Sequence, residues 1–341
     1  MLDLDDLEAQ AAARLPEHVM GYFLGPTPPD GIRTDSECWS ALRFRPRVLR
    51  DTTGLSLTTS VLGTPVASPI LVAPMAQQVA ADPEGERATA RAAARVGSLL
   101  GVSTNTGVPF ADVAVEGAPW WFQVYVMDDR SITEGLVRRA AAAGASALIL
   151  TVDLPVVDPR RPHLEPRTWT DRNNMLANLD PGLVARGLEN LRGTRALTPD
   201  AVGWLGEISG LPVVAKGVLR GDDAARCVAA GAAGVIVSTH GGRRLGQSVA
   251  AVDALPEVVA AVAGRAEVYV DSGLRTPEHV AAALCLGANA VFLGRPVLWA
   301  LASGGAARVV ELLTGWNAEL AVVLKQLGVT RLDDVGPDLV V

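Results

Sequence analysis

Lysine is nearly missing from this chain: of the 30 basic side chains in its 341 residues, only Lys216 and Lys325 are lysines. Cysteine is almost as scarce, and Cys38, Cys227 and Cys285 form neither a pair motif nor a metal-ligand spacing. Scattered thiols fit a reducing cytosol, so a cytoplasmic location is expected. Positive charge is not in excess either. A net charge of −7 and a pI near 5.2 leave no basic footprint for nucleic acid. No apolar run approaches the ~20 residues needed to span a bilayer, so no membrane partner is expected. The opening stretch MLDLDDLEAQAAARLPEHV is acidic and amphipathic, unlike a secretory leader with its basic start and apolar middle. Only four histidines occur, and no second histidine or glutamate stands at ligand spacing from His240, which argues against a metal site.

What is present is apolar: 49% of the residues, ample for a large core. Short β-branched runs alternate with Ala-rich stretches of helical period. The runs are ILVAPMA (70–76), LLGVST (99–104), WFQVYV (121–126), ALILTVD (147–153), PVVAKGV (212–218), GVIVSTH (234–240), EVYVDSG (267–273) and AVFLGRP (290–296). Continuous apolar runs of this length suit parallel strands buried on both faces. Several helical stretches between them open at Asp, Ser or Thr and stop at Gly, the usual cap asymmetry. Eight strands with intervening helices predict a (β/α)8 TIM barrel, with an open doubly wound sheet as the runner-up. Residues 1–341 then read as a single barrel domain. Residues 1–65 form an N-terminal helical segment with a linker rich in Pro and Arg, and the polar stretch 158–200 is an insertion after the fourth barrel strand. An insertion there lies on the C-terminal face, where barrel active sites are built, and reads as a lid.

Polar residues recur where the runs end. Gln123 and Tyr125 end the third, Thr151 and Asp153 the fourth, Lys216 the fifth, Ser238 and His240 the sixth, Asp271 the seventh, and Gly294 and Arg295 the eighth. In a barrel, such residues point at one site. Lys216 is telling, because a chain so biased toward Arg that still sets Lys at a strand end needs a compact ammonium there. Asp153 and His240 lie on strands separated by a single barrel strand, which predicts a carboxylate–imidazole pair of the kind that makes a general base. Gly273, Arg275, Gly294 and Arg295 end the last two strands, the usual phosphate site of a barrel, and predict a phosphorylated cofactor.

These residues fall in motifs that resemble the FMN-dependent 2-hydroxy acid oxidases and dehydrogenases. KGV, VSTHGGRR, DSGLR and LGRP carry the resemblance, together with LPEHVMGYF, RFRPRVLRD, APMA, DPEGERATARAA, FQVYV and TVDLP, all in order. The resemblance implies FMN as cofactor and oxidation of an L-2-hydroxy acid to the 2-oxo acid, followed by flavin reoxidation. Molecular oxygen is the expected acceptor, with hydrogen peroxide as product, because the 158–200 insertion carries no membrane-docking stretch and small Ala76 leaves room beside flavin N5. It makes His240 the base, Asp153 its partner, and Arg243 and Arg160 the holders of the substrate carboxylate. Tyr22 adds a carboxylate contact and Tyr125 stands near the substrate hydroxyl. Lys216 lies against flavin N1 and O2. Ala73, Pro74 and Ala76 line the ring beside N5, and Thr104, Gln123 and Thr151 contact it, with Ser238 close by. Asp271, Gly273, Arg275, Gly294 and Arg295 complete the cofactor set. A homotetramer or larger homo-oligomer is implied as well. The chain departs from the family pattern at Thr239, Arg244, Gly246, Asn105 and Met75, which points to a larger or more polar substrate than glycolate or lactate. Oxidation of a C–N bond in an amine or modified peptide, and a dehydrogenase with a non-oxygen acceptor, are the alternatives.

Overall fold

All eight runs form strands in the computed structural model, which describes residues 2–26, 28, 30–154, 156, 177–180, 182 and 193–341. Numbered in chain order after a short N-terminal hairpin, they are β3 (Ile70–Met75), β4 (Leu100–Val102), β5 (Trp120–Val124) and β6 (Ala147–Thr151). β7 (Val213–Val218), β8 (Gly234–Val237), β9 (Glu267–Val270) and β10 (Ala290–Leu293) follow. Each pairs in parallel with its chain neighbour, and β10 also pairs with β3, so the sheet closes as a (β/α)8 barrel. Closure is why the runs show no alternation: β4, β5, β6, β8 and β10 are buried at every residue.

The barrel interior is filled by large rings. Trp121 on β5, Tyr269 on β9 and Phe292 on β10 meet with centroids 5.5 to 5.8 Å apart. β5 is not a neighbour of β9 or β10, so these contacts can form only across the inside of the barrel. Helices that cover the outside start where the caps predict. Asp129 accepts from the Ser131 amide at the head of Arg130–Ala142, and Thr276 accepts from His279 before Pro277–Cys285.

The N-terminal segment is more structured than a helix plus linker. Helices Leu4–Arg14, Glu17–Leu24 and Asp35–Ala41 are followed by β1 (Thr59–Val61) and β2 (Thr64–Val66), an antiparallel hairpin. Its turn places Leu62 and Gly63 at φ 45° and 75°, the pair of left-handed residues that a two-residue hairpin needs. The Leu62 amide donates to Glu267 Oε1 at 2.9 Å, and Tyr269 Oη donates to Glu267 Oε2 at 2.5 Å. The hairpin therefore caps the N-terminal end of the barrel, opposite the strand ends that carry the polar residues.

No uninterrupted apolar run approaches bilayer-spanning length, yet one helix among the described residues is long and apolar enough to cross a bilayer by length and composition. This is the helical run Arg295–Gln326, of 32 residues. Gly304 and Gly305 leave helical geometry and split the run, and more than half of its most apolar stretch is buried inside the protein. Its apolar face is core, packed on helices Leu4–Arg14 and Gly85–Val96. The proposed lid at 158–200 falls mostly outside the described residues.

Removing the central ring of the barrel tests this packing. Trp121→Ala is expected to destabilise the protein by about 3–5 kcal/mol, read as a lower midpoint in chemical denaturation. An unshifted midpoint would place Trp121 outside the core.

Candidate active site

The polar strand ends converge on a cavity of about 1300 Å³ at the C-terminal end of the barrel. Strand register sets their level: Thr151 of β6 pairs with Lys216 of β7, and Lys216 with Ile236 of β8. Ser238, Thr239 and His240 then leave β8 into a tight turn. His240 adopts φ 58°, a left-handed conformation that a non-glycine residue keeps only when its surroundings enforce it.

Those surroundings are a set of hydrogen bonds. The His240 amide donates to Ser238 Oγ at 3.0 Å. Ser272 Oγ accepts from the Thr239 and Gly241 amides, both at 3.2 Å, and donates to Asp271 Oδ1 at 2.7 Å. Thr239 Oγ1 accepts from the Gly242 amide at 3.2 Å and donates to Asp35 Oδ2 at 2.6 Å. Thr239 thus serves as a cap for the turn that carries His240. Burial pushes the Asp35 carboxyl up, and its bonds to Thr239 and to the Ala251 amide oppose that shift. Nothing in the sequence marked Asp35, which comes from an N-terminal helix 204 residues away from Thr239. Ser272 lies inside the DSGLR motif, between Asp271 and Gly273.

His240 Nδ1 lies 3.0 Å from both Asp153 oxygens. Burial raises the Asp153 carboxyl, but the facing His240, then Lys216 and Arg244, outweigh it and hold it at about 2. Burial pulls His240 below its ordinary value, and Arg244 and Lys216 act the same way against the opposing pull of Asp153. The pair therefore rests as a carboxylate beside a neutral imidazole. Next to it, burial pushes the Tyr125 phenol upward, so it stays a hydroxyl donor.

Lys216 is buried and anchored, with Nζ 2.9 Å from Asp271 Oδ2 and 3.0 Å from Ser238 Oγ. Gln123 is fixed just as tightly. Its Nε2 donates to Thr151 Oγ1 at 2.9 Å, and its Oε1 accepts from Ser103 Oγ and the Thr104 amide at 3.2 and 3.1 Å. Ala73, Pro74, Met75, Ala76 and Asn105 line the cavity beside it. Thr104 and Ser238 do not line it; they stand behind and hold Gln123, Tyr125, Lys216 and His240 in place. Ser103, which no polar strand-end pattern marks, does line it.

At the other end of the cavity sit Gly273, Arg275, Gly294 and Arg295. Gly273 is required where it is: φ is +77° and a Cβ there would stand 2.4 Å from Asp35 Cβ. Gly294 has no such clash, since its added Cβ would meet Met75 Sδ at an ordinary 3.8 Å. Arg295 donates to the Leu24 and Gly241 carbonyls at 3.0 Å, and Arg275 to the Leu274 carbonyl at 2.9 Å. Burial lowers both guanidiniums, and Arg275 lowers Arg295 further, to about 10. Two buried cations that oppose each other gain by receiving an anion, so the site fits a phosphate. Arg243 donates to the Tyr22 and Phe23 carbonyls and lies 4.9 Å over the Tyr22 ring. Arg160 lies outside the described residues.

A closed parallel barrel with a phosphate end, a buried lysine and a carboxylate–imidazole pair defines a cofactor-dependent enzyme of the (β/α)8 class. Residues 11–341 match the family model described as FMN-dependent dehydrogenase, and the chain belongs to that family. FMN is its cofactor. An L-lactate oxidase of Nostoc sp. (strain PCC 7120 / SAG 25.82 / UTEX 2576) is 40% identical, with 98% of this chain and 96% of that protein covered. Glycolate oxidase 1 of Oryza sativa subsp. indica is 38% identical over 97% and 93%. Among solved structures, a mandelate oxidase with (S)-2-phenylpropionate is 34% identical with a TM-score of 0.89, covering 98% and 97%. A mutant of the active chimera of (S)-mandelate dehydrogenase is 32% identical with a TM-score of 0.91, covering 99% of each chain.

The phosphate end can be tested without turnover. Arg275→Ala is expected to weaken FMN binding about ten- to a hundredfold, as loss of a charge-assisted hydrogen bond predicts. Equilibrium dialysis with flavin fluorescence reads this, and unchanged affinity removes Arg275 from the phosphate site.

Proposed function

We propose that this protein oxidises an L-2-hydroxy acid to the 2-oxo acid, with dioxygen accepting the electrons and leaving as hydrogen peroxide. One observation carries the reading: both Asp153 oxygens engage His240 Nδ1, which leaves Nε2, beside Arg244 in the cavity wall, as the basic atom. A neutral imidazole with Nδ1–H turned to a carboxylate is a poised base, and Asp153 stabilises the cation formed when Nε2 takes the proton the substrate gives up. Arg243 holds the substrate carboxylate, joined by Tyr22 and, from the segment outside the described residues, Arg160. Tyr125 donates to the hydroxyl oxygen. Bound FMN would supply the two-electron acceptor for the substrate and the donor to dioxygen. Lys216 supplies a fixed positive charge for the electron-rich ring, since Asp271 and Ser238 allow it little movement. Ala73, Pro74 and Ala76 give the ring a wall without charge.

The names of the relatives support this class, because lactate, glycolate and mandelate are all 2-hydroxy acids. The same reading takes the protein as a cytoplasmic homo-oligomer, a homotetramer or larger, of single-domain chains. Light scattering reads the assembly.

Anaerobic mixing of the yellow holoenzyme with a panel of L-2-hydroxy acids tests the reading directly. Bleaching of the flavin is expected, followed by rapid recovery in air. A reduced enzyme that persists in air but recovers with a quinone would assign a dehydrogenase, and bleaching only by amines would overturn the reading altogether.

The base has its own signatures. His240→Ala is expected to purify yellow, because FMN contacts lie on other strand ends, and to reduce roughly a hundredfold or more slowly. A colourless variant would make His240 structural. Since the neutral imidazole is the active form, the rate of flavin reduction should rise with pH through a midpoint below the ordinary imidazole value of about 6.5 and stay level above it. Asp153→Asn removes the group that raises His240, so its midpoint should move to still lower pH while the plateau falls by roughly tenfold or more. An unchanged profile would uncouple Asp153 from the base.

A further inference from the structure

We propose that Arg244 determines specificity at this site by taking a second anionic group on the substrate, so that the enzyme prefers 2-hydroxy dicarboxylic acids to 2-hydroxy monocarboxylic acids. This rests on the reading of the cavity as a 2-hydroxy acid oxidase site. The observation behind it is a contact: Arg244 Nη2 stands 3.4 Å from His240 Nε2. Nδ1 is committed to Asp153, so Nε2 is the atom that must take the proton. A guanidinium can only donate, and in the resting site its N–H points at the lone pair the substrate needs.

Proton uptake makes this placement unfavourable. His240 becomes a cation, loses its capacity to accept, and faces a second cation at hydrogen-bond distance. Burial sharpens the repulsion, because both side chains lie in the cavity wall rather than in bulk water. Arg244 already bears on the whole site: it lowers His240, Asp153 and the Tyr125 phenol. An anion drawn against Arg244 removes both difficulties, since it pulls the guanidinium off the lone pair and balances the charge that forms.

The substrate's own C1 carboxylate is held elsewhere. Arg243 is tied by Nη2 to the Tyr22 and Phe23 carbonyls and stacks on Tyr22, so it is a stationary fork. A monocarboxylate meets one guanidinium of the Arg243–Arg244 pair, and a dicarboxylate meets both. The C2 hydroxyl sits at Nε2, so a carboxylate one or two bonds further along the side chain is within reach of Arg244. Arg presents a planar fork that matches a carboxylate through two parallel bonds.

The test compares L-malate with L-2-hydroxybutyrate, which share a four-carbon chain and differ in a terminal carboxylate against a methyl. Anaerobic stopped-flow reduction of the holoenzyme gives the limiting rate and apparent Kd for each. The wild type is expected to favour L-malate by roughly tenfold or more in rate over Kd, carried mainly by Kd. Arg244→Gln should cut that ratio by about tenfold, and Arg244→Lys should retain part of it. Independently of any variant, succinate should bind the wild-type holoenzyme more tightly than butyrate in flavin absorbance titrations. Preference for L-2-hydroxybutyrate, equal use of both acids, or an unchanged ratio in Arg244→Gln overturns the inference and leaves the oxidase reading standing. Reduction by neither acid nor any other 2-hydroxy acid overturns both.

Discussion

The site depends on one strained turn. His240 is held at a left-handed φ of 58° by bonds that come from three parts of the chain: Ser238 at the end of β8, Ser272 at the end of β9, and Asp35 through Thr239 from the N-terminal helix. A single non-glycine residue in that region costs on the order of 1–3 kcal/mol, so each bond offsets part of the strain. The return is direction. Without the left-handed step, the imidazole would continue along the line of β8 and would not meet Asp153, which leaves β6 two strands away. Barrel closure makes this possible, because only a closed sheet brings the ends of β6, β8 and β9 around one space.

Charge is arranged along the same cavity in two regions. Arg275 and Arg295 oppose each other at one end, which suits that end to a phosphate. At the other, Asp153 stays ionised between His240, Lys216 and Arg244, while burial keeps the imidazole neutral. Between them, Lys216 is balanced by Asp271 within 2.9 Å. A buried pair of this kind is weak evidence for stability, since desolvation consumes much of the attraction. Its contribution is positional: it fixes a cation beside the cofactor space and, through Ser238, ties that cation to the turn carrying His240.

Much of this was legible in the sequence because parallel barrels write their strands plainly. Burial on both faces turns each strand into a continuous apolar run, and the first polar residue after it marks the open end. Gln123, Thr151, Lys216, His240 and Asp271 were found that way, and all line the cavity. The hairpin at 59–66 was not legible, since its strands are only three residues long and the second contains Pro65. Long-range partners were invisible for a different reason. Asp35 reaches Thr239 across 204 residues, and no local pattern encodes such a meeting. Arg295–Gln326 escaped because charged residues break its apolar run, while the helix aligns the remaining apolar side chains on a buried face.

The scarcity of lysine now has a structural sense. Lys216 Nζ sits between Asp271 Oδ2 and Ser238 Oγ at 2.9 and 3.0 Å, in a space closed by neighbouring strands. An ammonium is a compact charge whose donors rotate to meet both oxygens. A guanidinium is wider, planar and locked in its fork, and it would either push β7 from β8 or reach past Asp271 into the cofactor space. Elsewhere in the cavity the opposite holds. Arg243, Arg275 and Arg295 each reach backbone carbonyls with one part of a wide fork while keeping further N–H groups for a ligand, a span that donors on a single atom do not have. The arginine bias of the chain is therefore suspended at the buried position where geometry leaves no room for it.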